Sequence, residues 1–195
     1  YLVEEVLGCQ ESSVQRFLVQ TSVLDRLSAP VCDAVTGADN GQKMLDHLQT
    51  ANLFVVPLDE GQKWFRYHHL FSDLLRDRLQ KTRPDLVPAL HRRASAWFEH
   101  EGLTSEAIQH ALAAKDFDHA ADLIESVAVP LISQGKTSAP QGWLEKLPES
   151  VIMSRPWLCI GLANVRSARG QLTDVQPLVE AAESLLSRSQ MNRAS

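Results

Sequence analysis

Apolar residues recur every three to four positions along most of the chain, the spacing of a helix with one buried face. Leu2, Val3, Val6 and Leu7 read as the tail of an amphipathic helix ended by Gly8. A second helix, capped by Ser12 or Ser13, turns Val14, Phe17 and Leu18 inward. Ser28-Ala29-Pro30 predicts a third, with a hydroxyl before a proline of the first turn; it buries Val31, Cys32 and Val35 and stops at Gly37. After the loop Ala38–Gly41, a fourth helix presents Met44, Leu45 and Leu48, and Asn52 closes it.

The period then changes. Leu53–Leu58 is rich in β-branched and aromatic residues and reads as a strand. Asp59–Gln62 is a turn in which Gly61 is free to take positive φ, and Lys63–His68 returns as a second strand. Alternation sets Trp64, Arg66 and His68 on one face and Phe65, Tyr67 and His69 on the other, so the adjacent histidines should point apart. A helix over Leu70–Leu79 follows, with Leu70, Phe71, Leu74, Leu75 and Leu79 as its stripe. Helices closing around one hairpin predict a winged-helix-like domain over residues 1–82, since a lone hairpin needs helices to lean on. Pro84 marks the boundary by restricting Arg83.

Residues 83–195 read as helical repeats. Leu86–Glu101, a helix opened by Thr104 and another from Asp116 each carry an apolar face, with Ala94, Ala107, Ala111 and Ala120 permitting close approach. Gly102, Gly135 and Gly170 recur near the roughly 34-residue tetratricopeptide period. A short helix at Trp143–Leu147 ends at Pro148, Pro156 opens a helix carrying Trp157, Leu158, Ile160, Leu162 and Val165, and Leu172–Leu186 completes the last hairpin before a frayed Gln190–Ser195. The fold class is therefore mainly α: a winged-helix-like domain with one β-hairpin, then a tetratricopeptide-like superhelix. A solenoid cut here leaves an apolar face on Leu172–Leu186, and self-association through it is expected.

Composition narrows the function. The chain has 195 residues, 44% of them hydrophobic, and a formal net charge of −5. That balance argues against a main nucleic-acid surface, which needs a basic face. Cys9, Cys32 and Cys159 are scattered and read as reduced thiols of a cytoplasmic protein, without zinc-ligand spacing. No apolar run reaches the roughly 20 residues of a membrane span. The start lacks Met, a basic n-region and a polar tail, as expected for a piece of a longer protein. No GxxxxGK[ST], GxGxxG, GxSxG or HExxH string is present, so no catalytic residue, metal ligand or enzymatic activity is assigned. The four tryptophans read as core, Arg92–Arg93 beside His91 as a solvated rim. His68–His69 is the one hint of chemistry: an imidazole N–H suits an anionic phosphate, and Arg66 lies two residues earlier.

Long strings of the sequence carry a resemblance. FLVQTSVLDRLSAPVCDAVTG, MLDHLQTANLFVVPLD, WFRYHHLFSDLLRDRL, LHRRASAWFEHEGLTSEAIQHALAAKDFDHAADLIE and WLEKLPESVIMSRPWLCIGLANVRSARGQL resemble the central part of the large ATP-binding LuxR-type transcriptional regulators, the MalT-like members of the STAND class. The resemblance implies a winged helix that closes over a P-loop domain elsewhere in the same chain, and repeats that sense an inducer or protein partner. ATP or ADP would be bound by the full-length protein, with no cofactor in this piece and no direct DNA contact from it. Tyr67-His68-His69-Leu70 stands where related proteins carry Met-His-Asp, whose histidine touches the β-phosphate of ADP. Nucleotide binding is thereby implied for His68, while Tyr67 and His69 depart from the motif. The hinge near Lys81–Asp85 is the expected pivot of a switch. Two other readings stand beside this one: a helical-repeat scaffold without nucleotide coupling, and a winged helix that contacts DNA itself.

Overall fold

The computed structural model describes residues 7–51, 53–61, 63–133 and 141–193. The expected helix at Tyr1–Leu7 (save Leu7 itself), the closing Asn52 and Gly135 lie outside them. Two compact units form, residues 1–103 and 104–195.

The first unit holds α1 (Ser12–Thr21), α2 (Ala29–Thr36), α3 (Gly41–Thr50), β1 (Val55–Pro57), β2 (Phe65–Tyr67), α4 (His69–Thr82) and α5 (Val87–His100). Three helices, an antiparallel hairpin and a following helix make the expected winged helix. Its core gathers Phe17 and Leu18 of α1, Val31 and Val35 of α2, Leu45 and Leu48 of α3, and Phe71 and Leu75 of α4, all buried.

Local chemistry departs from expectation at several termini. Glu11, not a serine, precedes α1, and its side chain makes no cap. Ser28 does precede α2, yet it serves through its carbonyl, which accepts the Cys32 N–H at 3.0 Å, and not through its hydroxyl. Gly37 takes φ 75° and closes α2. Gly41 is the first residue of α3 rather than loop: its N–H donates to Asp33 Oδ1 at 2.7 Å, and a Cβ there would stand 2.6 Å from the Ala29 carbonyl oxygen.

The hairpin is shorter than expected. Phe54 has φ 57°, which breaks the strand before Val55. Gly61 has no left-handed φ; Asp59 organises the turn instead, its Oδ1 accepting N–H groups from Lys63 at 2.9 Å and Trp64 at 3.0 Å. On its other edge β2 bonds Leu27 both ways, at 2.7 and 2.8 Å. Pro57 falls where the ladder asks for no N–H, so it blunts the edge without loss.

The units do not divide at residue 82, because α5 packs into the first of them. Leu90, Ala94 and Phe98 are buried, and Arg93 Nη1 donates to the Val35 carbonyl at 3.0 Å, at the C-terminal end of α2. Arg93 is thus a packing residue as well as a rim charge. The tryptophans are not core either. Trp64, Trp97 and Trp143 are half-buried and Trp157 is exposed. Trp64 and Trp97 meet edge to face at 6.3 Å, with Arg26 4.4 Å above the Trp64 ring.

The second unit holds α6 (Thr104–Ala113), α7 (Phe117–Ser133), α8 (Gln141–Leu144), α9 (Glu149–Met153), α10 (Pro156–Ala168), a 3₁₀ turn (Leu172–Asp174) and α11 (Gln176–Arg193). Helices α6 and α7 pack together, α7 packs on α10, and α10 on α11. The link from α6 to α7 turns at Lys115, φ 57°, with the Asp116 N–H returned to the Ala111 carbonyl at 3.0 Å. After α10 the same closure uses Gly170, φ 75°, with Gln171 bonded back to Arg166. Arg155, just before α10, ties it to α7 through Asp122 and Glu125. On α11, Leu178 and Ala182 are buried while Val179 and Leu186 are exposed, and the backbone stays helical to Arg193.

Candidate functional site

The site is built where β2 gives way to α4. Tyr67 is the last strand residue, and its ring is buried because alternation points it, with Phe65, at the core. His68 follows with φ −58° and ψ 137°. Its N–H donates to the Phe54 carbonyl at 2.7 Å, and its own carbonyl accepts from Phe71 and Ser72, both at 2.9 Å. Three backbone bonds therefore fix His68 as the N-cap of α4.

That placement overturns the expectation that the histidines point apart. Alternation ends at Tyr67, His69 lies in the first helical turn, and the two rings sit with centroids 4.5 Å apart and planes 34° from parallel. Both side chains are exposed, and neither makes a hydrogen bond or ion pair among the described residues. The apolar stripe of α4 is also narrower than expected. Leu70 is 64% exposed, while Phe71, Leu75 and Leu79 form the buried line.

Aromatic packing holds the mount. Phe71 lies 5.0 Å from Phe54 and 5.8 Å, edge on, from Tyr67. The left-handed backbone of Phe54 costs about 1–2 kcal/mol for a bulky residue. Its ring packing and its carbonyl bond to His68 over-determine the conformation. Sequence reasoning had no signal for Phe54, since nothing about phenylalanine favours positive φ.

Charge around the pair is uneven. Arg66 is exposed on β2, across the ladder from Val56, and β1 is uncharged. The first turn of α4 carries no acidic residue, so the positive end of its dipole is not neutralised there. Asp73 stands one turn farther on, exposed.

The other expected candidate resolves into structure. His91 is half-buried beside Arg76, which donates from Nε to the Ser22 carbonyl at 2.8 Å and pairs with Asp25 at 2.6 Å. Burial, and then the Arg76 charge, push the His91 imidazole below its ordinary range; Asp25 opposes the shift. Cys32 and Cys159 are buried with their thiols raised by desolvation, and Cys9 is exposed. Among the described residues, no group of three or more His, Cys, Asp or Glu side chains is placed to hold a metal ion. No helix among them is long and apolar enough to cross a membrane.

Comparison with known proteins finds relatives across most of the chain and a family model over its first part. The family model "MalT winged helix domain" matches residues 3–87. The serine/threonine-protein kinase PknK of Mycobacterium tuberculosis strain H37Rv is 37% identical over 163 residues, 84% of this chain and 15% of that protein. The HTH-type transcriptional regulator MalT of Klebsiella pneumoniae strain 342 is 32% identical over 187 residues, 96% of this chain and 21% of the relative. MalT of Yersinia enterocolitica is 33% identical over 186 residues, 95% and 21% respectively. The chain thus spans about a fifth or less of the length of these relatives.

Proposed function

Residues 3–87 belong to the MalT winged-helix-domain family, and from that premise we propose that the chain is an internal regulatory module of a MalT-like, ATP-dependent LuxR-type transcriptional regulator of the STAND class. It couples nucleotide state to the sensing of an inducer or protein partner. The observation that carries the reading is the mount of His68: an exposed imidazole with no side-chain hydrogen bond or ion pair among the described residues, fixed by its backbone at the start of a helix whose first turn has no acid. Such a group suits a phosphate oxygen of ADP held by a nucleotide-binding domain elsewhere in the same protein.

Likeness to proteins named as a kinase and as transcriptional regulators supports a role common to different outputs. A relay of conformational state has that generality; a catalytic group does not. The chain is accordingly read as non-enzymatic and cytoplasmic. The helices from α6 onward are read as tetratricopeptide-like repeats, because the closures at Lys115 and Gly170 return the chain the same way. A cleft of about 320 Å³, floored by Leu144, Leu162 and Leu178 and lined by Arg166 and Arg169 together with Glu145, Glu149 and Asp174, offers an inducer both apolar and charged contacts. Exposed Val179 and Leu186 suit a following repeat or, in the isolated chain, a second copy.

Direct DNA contact by this winged helix has less behind it. Helix α3, which follows α2 as a recognition helix would, exposes Lys43 and His47 beside Asp46, with Gln42 bonded to that aspartate. Such a balanced face does not neutralise phosphates. The test is His68→Ala in the intact regulator. Output without inducer should rise, because the ADP-bound resting state loses a contact; unchanged basal output would refute the coupling.

A further inference from the structure

The stacking of two exposed imidazoles gives His69 a use that its sequence position does not suggest. We propose that His68 and His69 form a paired anion site, in which both rings contact the terminal phosphate of a nucleotide and His69 is the second ligating group. This rests on His68 as a phosphate contact and adds a regulation of it by protons.

Three observations lead there. The rings are 4.5 Å apart, so one phosphate can meet an N–H from each without rearrangement of the backbone. Neither ring is engaged by another side chain among the described residues, and the His68 backbone is already fixed by three hydrogen bonds. The surrounding charge also favours an anion. Arg66 is exposed on β2 two residues before His68, β1 adds no charge, and the one acid nearby on α4, Asp73, lies a turn beyond His69. Helix α1, which packs on α4, carries only Arg16, and that side chain lines a cleft beside Met44.

A phosphate dianion beside both rings favours the imidazolium form of each over the neutral one. Binding should therefore take up protons and weaken as the imidazoles lose them with rising pH. A single imidazole would give a shallower dependence.

Pyrophosphate is the probe, added to the 15N-labelled chain at constant ionic strength with chloride as control. Ring signals are assigned with His68→Asn and His69→Asn, both at exposed positions that leave the core untouched. Both rings should shift and saturate together, and the dissociation constant should rise about tenfold or more between about pH 6 and about pH 8. His69→Asn should weaken binding about tenfold and flatten that dependence. Rings that do not respond to pyrophosphate overturn the pairing. So does a His68 response that His69→Asn leaves unchanged, and in that case the proposed role of His68 stands. If His68→Asn also leaves the ADP affinity of the intact protein unchanged, that role falls as well.

Discussion

Tyr67 carries the connection between the hairpin and the helices at the scale of single residues. Thr21 has one hydroxyl proton, and it goes to the Phe17 carbonyl at 2.7 Å. The 2.7 Å bond between Thr21 and Tyr67 is therefore donated by the phenol. Burial raises the Tyr67 phenol well above its ordinary value, so it stays a donor throughout the usual pH range. Tyr67→Phe should lower unfolding stability by about 1 kcal/mol, read by urea denaturation at constant m, because a buried acceptor is left empty. No loss would mean that the hydroxyl pair contributes nothing. His91 supplies a pH dependence. Its folded-state value lies below the ordinary 6.5, so the unfolded chain takes a proton first as pH falls. The His91 contribution to stability should be intact above neutrality and decline through about pH 6.5, levelling once the folded state also protonates. His91→Gln should flatten that segment of a thermal-melt series; an equally steep decline in the variant would remove His91 as the cause. The residue scale is also where sequence reading failed. The histidines point together because the strand stops at Tyr67, one residue earlier than expected, and His68 and His69 open a helix in which strand alternation no longer holds. Asp59 replaced Gly61 as the turn-maker because its carboxylate bonds two backbone amides, a local competition that composition alone does not rank.

Helix faces were the most legible feature of the elements. The spacing of Val14, Phe17 and Leu18, of Val31, Cys32 and Val35, and of Leu45 and Leu48 identified the buried sides of α1 to α3. The allegiance of α5 was not legible, because an apolar face does not say which neighbour covers it. Pro84 does stop α4, which ends at Thr82, but the chain returns to the same core. A fragment of residues 1–103 should therefore melt cooperatively, whereas one cut after residue 82 should lose its transition. The cut removes Leu90, Ala94 and Phe98 from the core, which costs several kcal/mol, at about 1.5–3 for each large apolar side chain. Loss of that order consumes most of a small domain's stability. Circular dichroism melts of the two fragments decide the matter: equal melting temperatures would place α5 outside the first unit after all.

The whole molecule presents a rigidly mounted histidine pair in one unit and an array of paired helices in the other. Fold class was readable because the change from a helical to an alternating period is strong over residues 53–68 and occurs nowhere else in the sequence. The functional claim was readable only through resemblance, since one imidazole on a surface has no unique chemistry. What the structure adds is mechanical. His68 is bonded through its backbone to Phe54, Phe71 and Ser72, so a ligand held by its ring also bears on the hairpin and α4. Coupling of this kind requires that the nucleotide bind the resting state better than the active one. The most direct measurement is the ADP dissociation constant of the intact protein with His68 and with His68→Ala. The account predicts about tenfold weaker ADP binding in the variant, the worth of one charge-assisted hydrogen bond near 1.4 kcal/mol, with ATP binding changed less. Equal ADP affinities in the two proteins would contradict it.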